Sequence, residues 1–182
     1  KKNIKKFYGK PIIYYSIKNA LKSKLFTKIH VSTDSILISN IVKRYSIKTD
    51  FLRPKKLSDD NTKLIEVYRY VVKKYVERNL KFDEIWFLSA CSPLVQVDDL
   101  KKSAKFFKRN INNSFLSINE CSPPAQWSMK LKKNNSLVPF FPKLRNVRSQ
   151  DLESCYVDNG AFGAYKNEIF YKNKKIKYAG YN

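Results

Sequence analysis

Apolar residues recur along most of the chain in two alternating rhythms, one near 3.6 residues and one of short continuous runs. Ile13, Ile17, Ala20 and Leu21 lie four, three and one residues apart, which predicts a helix over 11–25 with Pro11 in its first turn. Ile29, His30, Val31 and Ser32 read as a short strand, and Thr33, Asp34 and Ser35 as a cap for a second helix over 36–45 with Ile38, Ile41 and Val42 on one face. Residues 50–53 are expected extended before Pro54. A long helix over 61–79 turns Ile65, Tyr68, Val72, Tyr75 and Val76 inward. Residues 84–89, nearly all apolar, fit a strand buried on both faces, stopped by Pro93. Asp98 and Asp99 open a further helix through Phe107, their carboxylates at the favourable end, and 115–118 is a strand.

This alternation from Pro11 to Asn119 predicts an α/β sheet with helices on both sides. In such sheets ligands bind beyond the carboxyl ends of strands. Three polar clusters fall there: Ser32 to Asp34, Ser89 to Ser92, and the loop at Arg53. After Ser122 the rhythm changes. Pro123, Pro124, Pro139 and Pro142 punctuate short strands expected at 127–131 and 137–141, so 122–147 reads as an excursion from the sheet suited to a dimer contact. A polar stretch follows, with Arg148, Gln150, Asp151 and Asp158 close together, then Asn159 and Gly160 as a tight turn before a strand at 161–165. Arg148 offers a planar fork of donors for a carboxylate or phosphate, and Gln150 an amide that donates and accepts. A polar turn between two strands is the other reading of that stretch.

Length and composition narrow the class. The 182 residues fit one domain, 1–182, and 43% hydrophobic and 14% aromatic content exclude a disordered chain. No run of 18 apolar residues occurs, and the basic opening stretch has no long apolar run after it, so neither a membrane span nor a signal peptide is expected. Cys91, Cys121 and Cys155 are scattered and His30 is the single histidine, which gives no metal-binding spacing and fits structural thiols in a reducing cytoplasm. The net charge of +22 raises nucleic-acid binding, but thirty of the 37 basic residues are Lys, spread from end to end, where base recognition leans on Arg. Asn, Ile, Tyr and Phe, which share A/T-rich codons with Lys, are abundant too, so coding composition accounts for much of the charge. No nucleic-acid partner is expected, although the field still concentrates anionic small molecules.

Set in order, the motifs resemble the acylneuraminate cytidylyltransferases, which activate sialic and related nonulosonic acids. The matching pieces are Lys2-Asn3-Ile4, Gly9-Lys10-Pro11, Val31-Ser32-Thr33-Asp34, Leu52-Arg53-Pro54, Ser58-Asp59-Asp60, Ser92-Pro93-Leu94, Arg148-Ser149-Gln150-Asp151-Leu152 and Asn159-Gly160-Ala161. Each is weak alone; eight in the right order are specific. The Arg53 and Arg148 segments look most like pseudaminic acid cytidylyltransferases, and Asn159-Gly160-Ala161 more like the N-acetylneuraminate branch. The resemblance implies a three-layer α/β/α, Rossmann-like nucleotidyltransferase fold with a mixed, mainly parallel sheet, usually dimeric and Mg²⁺-dependent. It implies transfer of CMP from CTP to the anomeric hydroxyl of a nonulosonic acid, pseudaminic in type, with release of pyrophosphate.

By the same resemblance Asn3, Arg53 and Thr62 belong to the nucleotide site, and Ser89, Ser92, Arg148, Gln150 and Asn159 to the sugar-acid site, with Arg148 on the carboxylate. From the residues alone, Asn3 and Asp34 also suit a cap, Arg53 and Arg148 a surface ion pair, and Ser92-Pro93 a turn. His30 reads as structural, and none of Asp34, Asp59 and Asp60 is assigned as a general base. Lys63 and Leu64 stand where the family has paired small hydroxyl residues, and Ser89 is shorter than the family's usual Gln or Tyr. The family's triphosphate loop precedes the position of Lys2 and its metal-binding aspartates follow that of Asn182, so the resemblance implies a piece of a longer enzyme, inactive alone, with the metal ligands outside it. Two other readings stay open: a nucleotidyltransferase for another sugar acid such as a 3-deoxy-octulosonate, and a non-catalytic basic protein that binds polyanions.

Overall fold

The computed structural model of the chain describes residues 2–110, 112–172 and 175–181, so the ends of the domain drawn over 1–182 lie outside the described residues. After a single helical turn at Lys2–Ile4, β1 (Lys6–Phe7) and β2 (Lys10–Pro11) form a small antiparallel hairpin. Its two-residue turn, Tyr8 and Gly9, has positive φ at both positions, the backbone twist that such hairpins need. Pro11 thus ends a strand, and helix α1 (Ile13–Ser23) starts two residues later than the sequence predicts. Of the expected α1 stripe Ile13, Ile17 and Ala20 are buried, whereas Leu21 is exposed and Ser16 is buried in its stead.

Helix α2 (Ile36–Lys43) is capped by Ser35, whose Oγ accepts from the Ile38 amide at 3.4 Å. Helix α3 (Leu64–Val76) buries Val67, Val72 and Tyr75. Helix α4 (Val97–Arg109) follows β3 (Glu84–Leu88), and the Asp99 carboxylate accepts from the Gln96 amide at 2.8 Å at its start. Strand β4 (Ser114–Glu120) leads to the excursion, a two-stranded antiparallel hairpin of β5 (Met129–Leu131) and β6 (Leu137–Pro139). The chain returns through β7 (Tyr156–Lys166), the short helix α5 (Glu168–Tyr171) and β8 (Tyr178–Tyr181).

The main sheet has strand order β3-β7-β4-β8. Strands β3, β4 and β8 share one direction, and β7 runs against them between β3 and β4. Successive residues of β3 show that helices cover both faces, because neighbouring side chains on a strand point to opposite sides. Trp86 packs against Phe107 of α4 (6.2 Å between ring centroids) and Phe115 (5.2 Å), whereas Phe87 stacks on Tyr68 of α3 (5.6 Å). The three-layer α/β/α arrangement follows. Its main core joins Leu100 and Phe107 to Phe115, Phe162 and Ala164, and a second core joins Ile13 and Ile17 to Val42 and Ile47.

Three expectations change. Strand β3 is half-buried throughout, because it forms one edge of the four-stranded sheet. Residues 29–32 form no strand and join no ladder among the described residues. They nevertheless alternate as a strand does: Ile29 and Val31 pack on the second core, and the His30 ring faces Phe51 at 4.5 Å and Tyr75 at 5.6 Å. Asn159 and Gly160 lie inside β7, where the register jumps from Leu116↔Gly163 to Ile118↔Asp158. Gly160, at φ +62°, absorbs the surplus residues of this bulge. Among the described residues no helix is long and apolar enough to cross a membrane.

Candidate functional site

The chain leaves β3 through residues 89–96, the connection to α4, and this turn is held from three sides. The Ser89 amide donates to Ala161 O of β7 at 2.8 Å, and Ser89 O accepts from the Ser16 hydroxyl of α1 at 2.7 Å. Asn19 of α1 donates to Val95 O at 2.5 Å. Within the turn, Ser89 Oγ accepts from the Cys91 amide (3.3 Å) and Ser89 O from the Ser92 amide (3.4 Å). The Cys91 thiol donates to Asn3 Oδ1 at 3.1 Å, which brings the first helical turn onto the same loop.

The bulge of β7 supplies the next wall. Asn159 Oδ1 accepts from the Ser117 hydroxyl at 2.6 Å and the Ala161 amide at 3.0 Å, and its Nδ2 donates to Asn119 Oδ1 at 2.8 Å. Ser117 Oγ in turn accepts from the Phe162 amide at 3.1 Å. Asn3, Ser89, Ser92 and Asn159 therefore belong to one hydrogen-bonded frame at the carboxyl end of β3, running through Cys91 and Ala161.

Arg53 and Thr62 lie in a neighbouring cluster. The Arg53 amide donates to Thr33 O at 2.8 Å and its Nε to Ser58 Oγ at 3.0 Å, so its side chain meets a hydroxyl rather than the carboxylate of a surface ion pair. Asp59 Oδ1 accepts from the Thr62 hydroxyl (2.8 Å), the Thr62 amide (2.7 Å) and the Asn61 amide (3.0 Å). These bonds, that of the Thr62 hydroxyl foremost, hold the Asp59 carboxyl below its ordinary range and tie it into the turn. The two clusters share a support, since Val31, just before Thr33, and Ala90, just after Ser89, both pack on the Ile13–Ile17–Val42–Ile47 core.

Arg148 and Gln150 stand apart from this frame. They flank Ser149 at a single helical turn, Ser149–Asp151, that is exposed throughout. Arg148 Nε lies 3.7 Å from Asp151 Oδ2, with the two side chains 72% and 58% exposed, and in its favoured orientation the Gln150 amide oxygen accepts from Arg148 Nε at 3.1 Å. None of these contacts reaches Arg53 or Ser92. The turn is anchored instead by two residues the sequence did not single out. Trp127 Nε1 donates to Val147 O at 3.1 Å, and buried Gln126 donates to Glu153 O at 2.7 Å. Ser16, Ser117 and Asn119 were missed as well. For Ser16 a signal existed: a hydroxyl inside an apolar helical stripe.

His30 is structural in its surroundings. Tyr75 donates to Asp50 Oδ2 at 2.6 Å, so the imidazole Nδ1, 3.1 Å from the same hydroxyl oxygen, must carry the proton and donate. Its Nε2 is buried without a partner among the described residues, and burial lowers the pKa to about 4. Lys28 pairs with Asp50 at 2.6 Å. Among the described residues no group of three or more His, Cys, Asp or Glu side chains converges as a metal site.

Comparison with known proteins gives the family and the fold. The family model described as "Cytidylyltransferase" matches residues 1–178. A pseudaminic acid cytidylyltransferase of Campylobacter jejuni is 36% identical over 162 residues, which cover 89% of this chain and 70% of that protein. A Helicobacter pylori protein named as both pseudaminic acid cytidylyltransferase and UDP-2,4-diacetamido-2,4,6-trideoxy-beta-L-altropyranose hydrolase is 34% identical over 177 residues, 96% of this chain and 33% of its own length. Among solved structures, a CMP:2-keto-3-deoxy-manno-octonic acid synthetase complexed with CTP shares the fold at a TM-score of 0.69 and 14% identity, over 97% of this chain and 72% of that one.

Proposed function

The chain belongs to the cytidylyltransferase family, and from that premise we propose that it transfers CMP from CTP to the anomeric hydroxyl of a nonulosonic acid of the pseudaminic type. The anomeric oxygen attacks the α-phosphorus in line, the bond from that phosphorus to the β-phosphate oxygen breaks, and pyrophosphate leaves. Asn3, Arg53 and Thr62 are assigned to the nucleotide, and Ser89, Ser92 and Asn159 to the sugar acid. Arg148 and Gln150 take the sugar carboxylate. An exposed ion pair at 3.7 Å contributes little, so exchanging Asp151 for a substrate carboxylate costs little. Mg²⁺ enters the proposal as an activator of the reaction, tested by chelation and add-back. The chain is further proposed to work as a homodimer that covers Leu131, Leu137, Phe140 and Phe141 of the excursion, all exposed.

The observation that supports this reading best is the single frame joining Asn3, Ser89, Ser92 and Asn159 at the carboxyl end of β3, where α/β sheets bind ligands. The test is an assay of the full-length gene product with CTP, Mg²⁺ and pseudaminic, legionaminic, N-acetylneuraminic or 3-deoxy-octulosonic acid, following pyrophosphate and the CMP-sugar together. Pseudaminic acid should give the highest kcat/KM. Turnover of the octulosonate alone, or of none of the four, would overturn the assignment.

A further inference from the structure

Two of the three cysteines face each other at the root of the excursion. The β4/β7 ladder pairs Ile118 with Asp158, Asn119 with Val157 and Glu120 with Tyr156. One step further it sets Cys121 opposite Cys155, and the Cys121 amide donates to Cys155 O at 2.8 Å. Opposed residues of an antiparallel pair have Cα atoms about 4.5–5.5 Å apart and side chains on one face, inside the range of about 4.4–6.8 Å that a disulfide spans. Both thiols are reduced and half-buried, which leaves them in reach of a dissolved reagent. The pair lies at the open end of the ladder, and the Cys155 thiol also makes a long 3.8 Å approach to Glu153 O. Cys91 is engaged elsewhere, with Asn3. The pair also continues a row of side chains on one face of the ladder, after Ser117 with Asn159 and Asn119 with Val157, that leads out from the proposed sugar pocket.

We propose that Cys121 and Cys155 form a reversible disulfide that closes residues 122–154 at their base and fixes the excursion carrying Arg148 and Gln150. The co-reactant is a low-molecular-weight disulfide. One cysteine thiolate attacks a sulfur of the reagent and expels one reagent thiol, leaving a mixed disulfide; the second cysteine then attacks the protein sulfur of that intermediate and releases the other reagent thiol. Two protein S–H bonds and one reagent S–S bond are exchanged for one protein S–S bond and two reagent S–H bonds. The protein is oxidised by two electrons and the reagent reduced by two. A cross-strand neighbour is always at hand for the second attack, so the mixed disulfide is short-lived. This chemistry stands whether or not the sugar-acid reading holds.

The test equilibrates the chain in buffers of graded ratio of oxidised to reduced glutathione, alkylates residual thiols, and reads intact mass, peptide linkage and the rate of tryptic cleavage within 130–148. A monomer carrying one alkyl group where the reduced chain carries three is expected, with the Cys121 and Cys155 peptides joined, full reversal by a reductant, and cleavage several-fold slower when oxidised. Cys91→Ser should keep the linkage; Cys121→Ser or Cys155→Ser should abolish it. Peptide mapping of the unmodified sequence decides the matter even if a variant folds poorly. Glutathione adducts without a protein crosslink, a crosslink through Cys91, linkage between two chains, or a joined pair with unchanged cleavage would each overturn the proposal.

Discussion

His30 shows a polar side chain kept neutral by its neighbours. The Tyr75 hydroxyl donates its hydrogen bond to Asp50, so the imidazole can offer it only Nδ1–H, and a second proton would sit on buried Nε2 with no acceptor among the described residues. The folded pKa, about 4, lies below the ordinary value of 6.5. The unfolded chain therefore binds the proton first as pH falls, and stability is lost between those two values, by at most about 3 kcal/mol. Denaturant melts across that window should show the loss in the wild type and a flatter profile for His30→Phe. Asp50 acts below it. Burial pushes its carboxyl up, but Lys28 and the Tyr75 hydroxyl outweigh burial and hold it low, so its contribution fades only as pH falls through that lowered value. For Arg148 the expectation is kinetic. Arg148→Ala in the full-length enzyme should raise the KM for the sugar acid roughly ten- to hundredfold, the worth of a charged hydrogen bond, with the KM for CTP nearly unchanged. Equal effects on both would remove Arg148 from the carboxylate. Arg148→Lys should recover only part of the loss, since an ammonium lacks the planar fork.

At the scale of elements, helices were legible and strand partners were not. The stripes of α1 and α3 and the acidic start of α4 are local, and the sequence exposes them; Ile29 and Val31 carry an equally clear strand signal, yet a strand is completed by a neighbour that no local pattern contains. Asn159 and Gly160 mislead for a related reason. A turn and a bulge ask the same backbone freedom of glycine, and only the β4 register separates them. The site divides along this line. The frame at the carboxyl end of β3 was foreseeable from where polar clusters follow apolar runs, whereas the anchoring of the Arg148 turn by Gln126 and Trp127 depends on how the excursion folds back. Gly163 is a case that sequence could not reveal. A Cβ there would stand 2.6 Å from both Phe115 O and the Phe87 ring, so β7 passes its neighbours closely at this point. Gly163→Ala should lower the stability to unfolding by about 1–3 kcal/mol, read as a fall in the denaturation midpoint.

For the whole molecule, the balance of charge and apolar surface sets what assembly requires. With a net charge of +22, two copies repel at long range, so a dimer must rest on short-range burial and should tighten as salt screens the repulsion. Sedimentation of the full-length protein should report a dimer that strengthens with ionic strength, and Leu137→Asp combined with Phe141→Asp should give a folded monomer. A dimer weakened by salt, or untouched by the double substitution, would place the contact elsewhere. The excursion has one more property, visible in the hydrogen bond between Cys121 and Cys155. Its departure and return points are adjacent, so it behaves as a cassette: segments of different length and chemistry can be exchanged between the same two posts at small entropic cost. Under the proposed function, the exchangeable segment is the one that carries Arg148 and Gln150, while Asn3, Ser89 and Asn159 stay on the frame at the end of β3.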